Sequence, residues 1–254
     1  MGLLVWALVA VQLAPSLMFS GVAVILPQLG RDLDASAIEL GLVETLFLAG
    51  TLGAMLPVGQ LADAWDKRSL FKLGLLAFGL SSLLIGLLEG MWAVLALRLV
   101  QGFCAATSAA TGPAILVELV PKERRGMVFG ASMAATYLGL ALGPVLAGVL
   151  AEWTGWRSVF WVGGSVLVLG SGLIHSLLRS SWPRVRAWPH VPSAAVWGLA
   201  VVAWVFGAAE IKEPQLGVPL LGAGALLGGA FFWLQRRIER PLLDLRAMWS
   251  NVNL

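Results

Sequence analysis

GQLADAWDKRSLFK, residues Gly59 to Lys72, is a short polar interruption between two long apolar runs. It concentrates Asp63, Asp66, Lys67, Arg68 and Lys72, a set of charges too costly to leave in hydrocarbon. The runs on either side have the length that crosses a bilayer as a helix, so the stretch reads as a loop between two spans. Its basic residues assign it to the cytoplasmic side by the positive-inside rule, and the direction of every other span follows.

Composition agrees. The chain has 254 residues, 59% of them apolar and only 12% charged, with a mean hydropathy of +0.86. A soluble domain of that length does not have so much apolar surface to hide. Reading outward from the loop gives eight apolar segments: roughly Gly2 to Leu26, Ala37 to Val58, Leu70 to Leu88, Met91 to Val117, Gly126 to Ala151, Ser158 to Leu178, Ser193 to Ala209 and Leu216 to Leu234. Runs of this kind without dyad alternation are helices, and the expected class is an all-α polytopic membrane protein with about eight transmembrane helices. The first run is too long for a signal-peptide core and lacks a charged n-region, so it is expected to remain as a helix.

Outside the spans, thirteen Lys and Arg fall on the side of the opening loop and three (Arg31, Arg157, Lys212) on the other. That asymmetry predicts cytoplasmic termini and a multi-pass protein of the cytoplasmic membrane. Trp92, Trp153 and Trp156 are expected in an outer aromatic belt, and Trp65, Trp182, Trp188 and Trp233 in an inner one. The formal charge of +3 marks no nucleic-acid partner, because no basic stripe lies on a soluble face. Cys104 is the only cysteine, so no intrachain disulfide can form. His175 and His190 have no metal-ligand company, and GAGALLGG in the last span follows no strand, so neither metal nor cofactor is expected.

Several motifs fall in order along this framework. Gly59, Leu61, Asp63, Lys67 and Arg68 resemble the signature loop of the major facilitator superfamily, although Ala64 and Asp66 depart from its pattern. Gly59 permits close helix approach, and Asp63 near a helix end can pair with a cation or a helix N-terminus. In the fourth span, Arg98, Gln101 and Gly102 resemble the family's second motif. Two readings of Arg98 stand: it faces the bundle interior or a wet cavity, or it snorkels from the outer end about two turns away. In the fifth, Gly139, Gly143, Pro144 and Gly148 resemble the motif characteristic of exporters, with glycines for tight crossing and a proline for a bend. Gly155 to Phe160, GWRSVF, resembles the segment that opens the family's sixth helix.

The ending ERPLLDLRAMW, Glu239 to Trp249, resembles the junction after the two extra helices of fourteen-helix drug:proton antiporters. On that resemblance residues 1–178 form the N-terminal six-helix bundle, 179–192 a cytoplasmic linker, 193–234 the inserted helix pair, and 235–254 an amphipathic segment leading to a missing six-helix half. The resemblance implies a secondary transporter that exports drugs or other amphipathic compounds against protons by alternating access, with small molecule, proton and lipid as partners and no enzymatic activity. Where such antiporters carry an acid in the first helix, this chain has Met18, Ser20 and Ala23 before Leu26 and Pro27. Glu44 is then the one acid clearly within a span, read either as a proton site or as an outer-end polar residue reached by water. A transporter of a small metabolite, or a membrane fragment that needs a partner half, are the alternatives.

Overall fold

The computed structural model describes residues 2–178 and 190–238, without the Asp63 side chain. Most of the expected linker, the tail from residue 239 and the Glu239 to Trp249 junction lie outside the described residues. Among the described residues, eight helical spans are long and apolar enough to cross a membrane. In chain order the helices are α1 Leu3–Val11, α2 Leu13–Asp32, α3 Ala37–Ala64, α4 Lys67–Ile85, α5 Met91–Leu119, α6 Arg125–Thr154, α7 Arg157–Leu177, α8 Val191–Ala209 and α9 Pro214–Gln235. Together α1 and α2 make the first span.

The first span is interrupted at Gln12, which caps both halves. Pro15 accounts for the break: it has no N–H to give the Val11 carbonyl, and its ring crowds that carbonyl. The Gln12 amide partly compensates by donating to the Leu8 carbonyl at 3.3 Å.

The polar loop is much shorter than its composition predicts. Gly59, Leu61 and Asp63 complete α3, Lys67 and Arg68 begin α4, and only Trp65 and Asp66 are non-helical. Asp66 is the reason α4 can begin at once, because its carboxylate accepts from the Arg68 and Ser69 backbone N–H groups at 3.3 and 3.2 Å. At the other end of α3, Ser36 and Glu39 form a capping box. Gly155, at φ 85, closes α6 in a conformation that a side chain would strain.

Three crossings build the six-span bundle, each where glycine lets two backbones touch. In the α2–α6 crossing, a Cβ on Gly143 would sit 2.6 Å from the Leu17 carbonyl oxygen, and one on Gly139 as close to that of Leu13. In the α3–α5 crossing, a Cβ on Gly50 would lie 2.6 Å from the Leu99 carbonyl and 3.2 Å from the Gly102 Cα. In the third, Gly79 of α4 meets Gly164 of α7. Exchanging the first three spans for the last three maps the first crossing onto the second and the third onto itself, as an inverted repeat requires.

The pair α8 and α9 forms a hairpin against α3. Trp204 packs over Gly224 and Gly228, Gly53 approaches Gly198, and the Trp197 indole donates to the Leu52 carbonyl at 3.3 Å.

Two polar clusters hold the bundle's ends. At the end of the opening loop, Glu118 at the close of α5 pairs with Lys67 at 3.2 Å and Arg68 at 3.7 Å. Two cations at the positive end of a helix need such a counter-charge. Lys72, nearly buried, donates to the Leu178 carbonyl at 3.2 Å and so caps α7. At the opposite end, Asp32 accepts from the Trp156 indole at 2.9 Å and pairs with Arg157 at 3.2 Å, while Arg157 also reaches the Leu88 carbonyl at 3.3 Å. Trp156 is only 1% exposed, so it is a packed anchor and not part of an interfacial belt; Trp92 and Trp153 remain exposed.

Candidate functional site

Spans one to five wall a half-open cavity of about 340 Å³. The break in the first span brings Gln12 and Ser16 to this wall, where they face Thr51 of α3, Ser108 of α5 and Thr136 of α6. Phe19, Phe47 and Phe71 supply aromatic surface, and the Phe19 and Phe47 rings pack 5.3 Å apart. None of the described residues that line this cavity is charged.

Behind Phe47 lies Arg98, fully buried. Its guanidinium carbon is 4.6 Å from the centre of the Phe47 ring, a cation–π contact that is strongest when shielded from water. Nε donates to the Val43 carbonyl at 3.0 Å and Nη1 to the Gln101 Oε1 at 2.8 Å. The Gln101 amide in turn donates to the Ser82 Oγ at 2.7 Å, and Ser82 to the Phe78 carbonyl at 2.9 Å. Nη2 has no hydrogen-bond partner among the described residues. A buried cation held by neutral acceptors alone is costly, which makes the rest of this chain of hydrogen bonds obligatory.

Glu44 follows Val43 on α3 and is half-buried. It is near enough to act electrostatically on Arg98, yet no ion pair joins them. Neither Glu44 nor the set Arg98, Gln101 and Gly102 lines the cavity; they form the layer behind its α3–α5 wall. Gly102 is where that layer becomes thin, since a Cβ there would run into the Phe47 carbonyl and lie 3.0 Å from the Gly50 Cα.

This arrangement of crossings, cavity and buried arginine can be set beside known proteins. The family model described as Major Facilitator Superfamily matches residues 8–245. The chain belongs to the Major Facilitator Superfamily. It is 32% identical over 245 residues to the puromycin resistance protein pur8 of Streptomyces alboniger, covering 94% of this chain and 49% of that protein. It is 26% identical over 244 residues to the tetracenomycin C resistance and export protein of Streptomyces glaucescens, 92% of this chain and 44% of the other. To the multidrug resistance protein Stp of Mycobacterium tuberculosis (strain CDC 1551 / Oshkosh) it is 28% identical over 235 residues, 88% and 43% respectively. The chain spans about half the length of the curated relatives it matches. Family and relatives indicate transport rather than catalysis, in an integral multi-pass membrane protein.

The residues that resemble the superfamily's motifs separate by location. Gly139 and Gly143 lie in the α2–α6 crossing, whereas Gly148 meets only Val24 at 3.6 Å and Pro144 is half-buried. Gly59, expected to permit close approach, faces open space: a Cβ built there meets nothing within 4 Å. The Asp63 side chain is outside the described part. Residues that motif reading passed over carry much of the geometry, namely Gln12, Ser82, Asp32 and Glu118. Gln12 could have been found from its position three residues before a proline in a span. Nothing local in sequence marks Ser82.

Proposed function

We propose that this chain is the N-terminal half of a proton-coupled exporter of drugs or other amphipathic compounds, completed by a second six-helix half and working by alternating access. The observation that carries the reading is the uncharged, partly aromatic cavity walled by five spans of a major facilitator bundle. Support comes from relatives whose names describe puromycin resistance, multidrug resistance and tetracenomycin C export.

In this reading residues 1–178 are the six-helix bundle, 179–192 the linker, 193–234 the inserted pair and 235–254 the lead into the second half. The end bearing Lys67 and Lys122 faces the cytoplasm, with both termini, in the cytoplasmic membrane. Gly59, Leu61, Asp63, Lys67 and Arg68 bias the equilibrium between access states, Gly59 leaving its face free for the second half. Gly139, Gly143, Pro144 and Gly148 hold spans one and five together and limit leakage. Glu44 exchanges the coupling proton, and the Arg98, Gln101 and Gly102 layer couples α3 to α5 behind the cavity. A ligand moves such an equilibrium only by its differential affinity for the two states.

The test is efflux from energised cells that make this chain together with a second six-helix half, using puromycin as the reporter. Accumulation should fall, and a proton uncoupler should restore it. Equal accumulation with and without the chain, at confirmed membrane expression, overturns the proposal.

A further inference from the structure

We infer that the cavity takes an uncharged aromatic molecule bearing O–H or N–H donors and rejects both cations and anions of the same size. This rests on the export reading and narrows its substrate class. Three of the hydroxyls that line the cavity have already spent their protons on their own helices: Ser16 donates to the Gln12 carbonyl at 3.1 Å, Thr51 to that of Phe47 at 2.9 Å and Thr136 to that of Ser132 at 3.1 Å. What these groups offer a guest is oxygen lone pairs. The Gln12 amide nitrogen is likewise engaged, with the Leu8 carbonyl at 3.3 Å and the Ser132 hydroxyl at 3.5 Å. A wall rich in acceptors, in which Ser108 has the one lining hydroxyl with no intramolecular hydrogen bond among the described residues, suits a guest that donates and solvates an anion poorly.

Cations are rejected for a separate reason. Among the described residues no carboxylate lines the cavity, and the buried Arg98 stands behind its wall, one aromatic ring away. The Phe47 ring, and not water, separates that positive charge from the space beyond it, and across a hydrocarbon layer a charge is poorly screened. Glu44 offsets part of it, but Glu44 is half-buried and outside the wall, so it cannot pair with a guest in the cavity. The rings of Phe19, Phe47 and Phe71 favour a flat aromatic body.

The experiment is cysteine protection in the purified chain, in a Cys104→Ala background with Met133→Cys as the reporter. Met133 lines the cavity and is 53% exposed, so a thiol there is accessible to N-ethylmaleimide. Leu142→Cys, exposed and outside the lining, reports unspecific partitioning. Four probes of similar size separate the chemistries: 2-naphthol, 2-methoxynaphthalene, trimethyl(2-naphthyl)ammonium and 2-naphthalenesulfonate. The expected result is that 2-naphthol protects the Met133 position best, with its half-maximal concentration raised about tenfold in a Thr51→Val, Thr136→Val variant. Equal or better protection by the ammonium or the sulfonate overturns the inference, as does protection by no probe. Unchanged protection in the double valine variant removes the acceptor role and overturns it as well. The export reading fails independently, if 2-naphthol protects the reporter while the protein completed by its second half reduces accumulation of neither puromycin nor 2-naphthol.

Discussion

The guanidinium of Arg98 stacks 4.6 Å from the centre of the Phe47 ring, and the same Phe47 forms part of the cavity wall. One side chain thus stands between the fully buried cation of α5 and the space in which a guest would sit. The position is held by neutral acceptors, so its stability depends on hydrogen bonds that leave little slack.

Gln101→Leu is expected to destabilise the bundle by about 1–3 kcal/mol, because it leaves Nη1 of Arg98 without its acceptor and Ser82 without its donor. Gln101→Glu keeps an acceptor beside the guanidinium and should lose less. Denaturant melts of the purified chain in detergent check the order; a leucine variant as stable as the parent would show that the network is dispensable.

Gly143→Ala and Gly148→Ala should differ sharply although both lie in the same motif. A methyl at Gly143 meets the Leu17 carbonyl at 2.6 Å, whereas at Gly148 it makes an ordinary contact with Val24 at 3.6 Å. Overpacking a tight crossing costs about 1–3 kcal/mol, and a methyl with room should fall within about 0.5 kcal/mol of neutral. Thermal aggregation temperatures in detergent read the difference, and equal losses at the two positions would contradict the crossing.

Asp32→Ala removes the acceptor of the Trp156 indole and the partner of Arg157 in one change. The indole is buried, so most of the expected loss of about 1–3 kcal/mol comes from its unsatisfied N–H. The ion pair is partly exposed and adds little. Arg157→Ala should therefore cost less than Asp32→Ala in the same melts, and the reverse order would assign the stability to the ion pair.

Orientation can be read from two exposed lysines at opposite ends of the bundle. In a Cys104→Ala background, Lys212→Cys should react with a membrane-impermeant thiol reagent in intact cells, and Lys122→Cys only after permeabilisation. Labelling in the opposite order would reverse the cytoplasmic assignment of the opening loop.

How much was legible in the sequence follows from the range of the interaction concerned. Span number, span length and helix starts such as Ser36 with Glu39 depend on apolar run length and on side chains a few residues apart, and all of these are local. The motif order identified the superfamily for the same reason. The polar stretch reads as a longer loop than the structure has, because its charges mask the fact that a single capping residue, Asp66, restarts the helix.

What remained undecided in the sequence involves residues far apart along the chain. Whether Arg98 snorkels or is buried depends on Val43, 55 residues away, and the role of Trp156 depends on Asp32, 124 residues away. Gly143 and Gly59 look alike as motif glycines, yet one lies in a crossing and the other faces open space, because only the first meets another backbone. The cavity's lack of charge was equally invisible. Charges are easy to count along a chain, but which side chains converge on one space is set by how five spans cross.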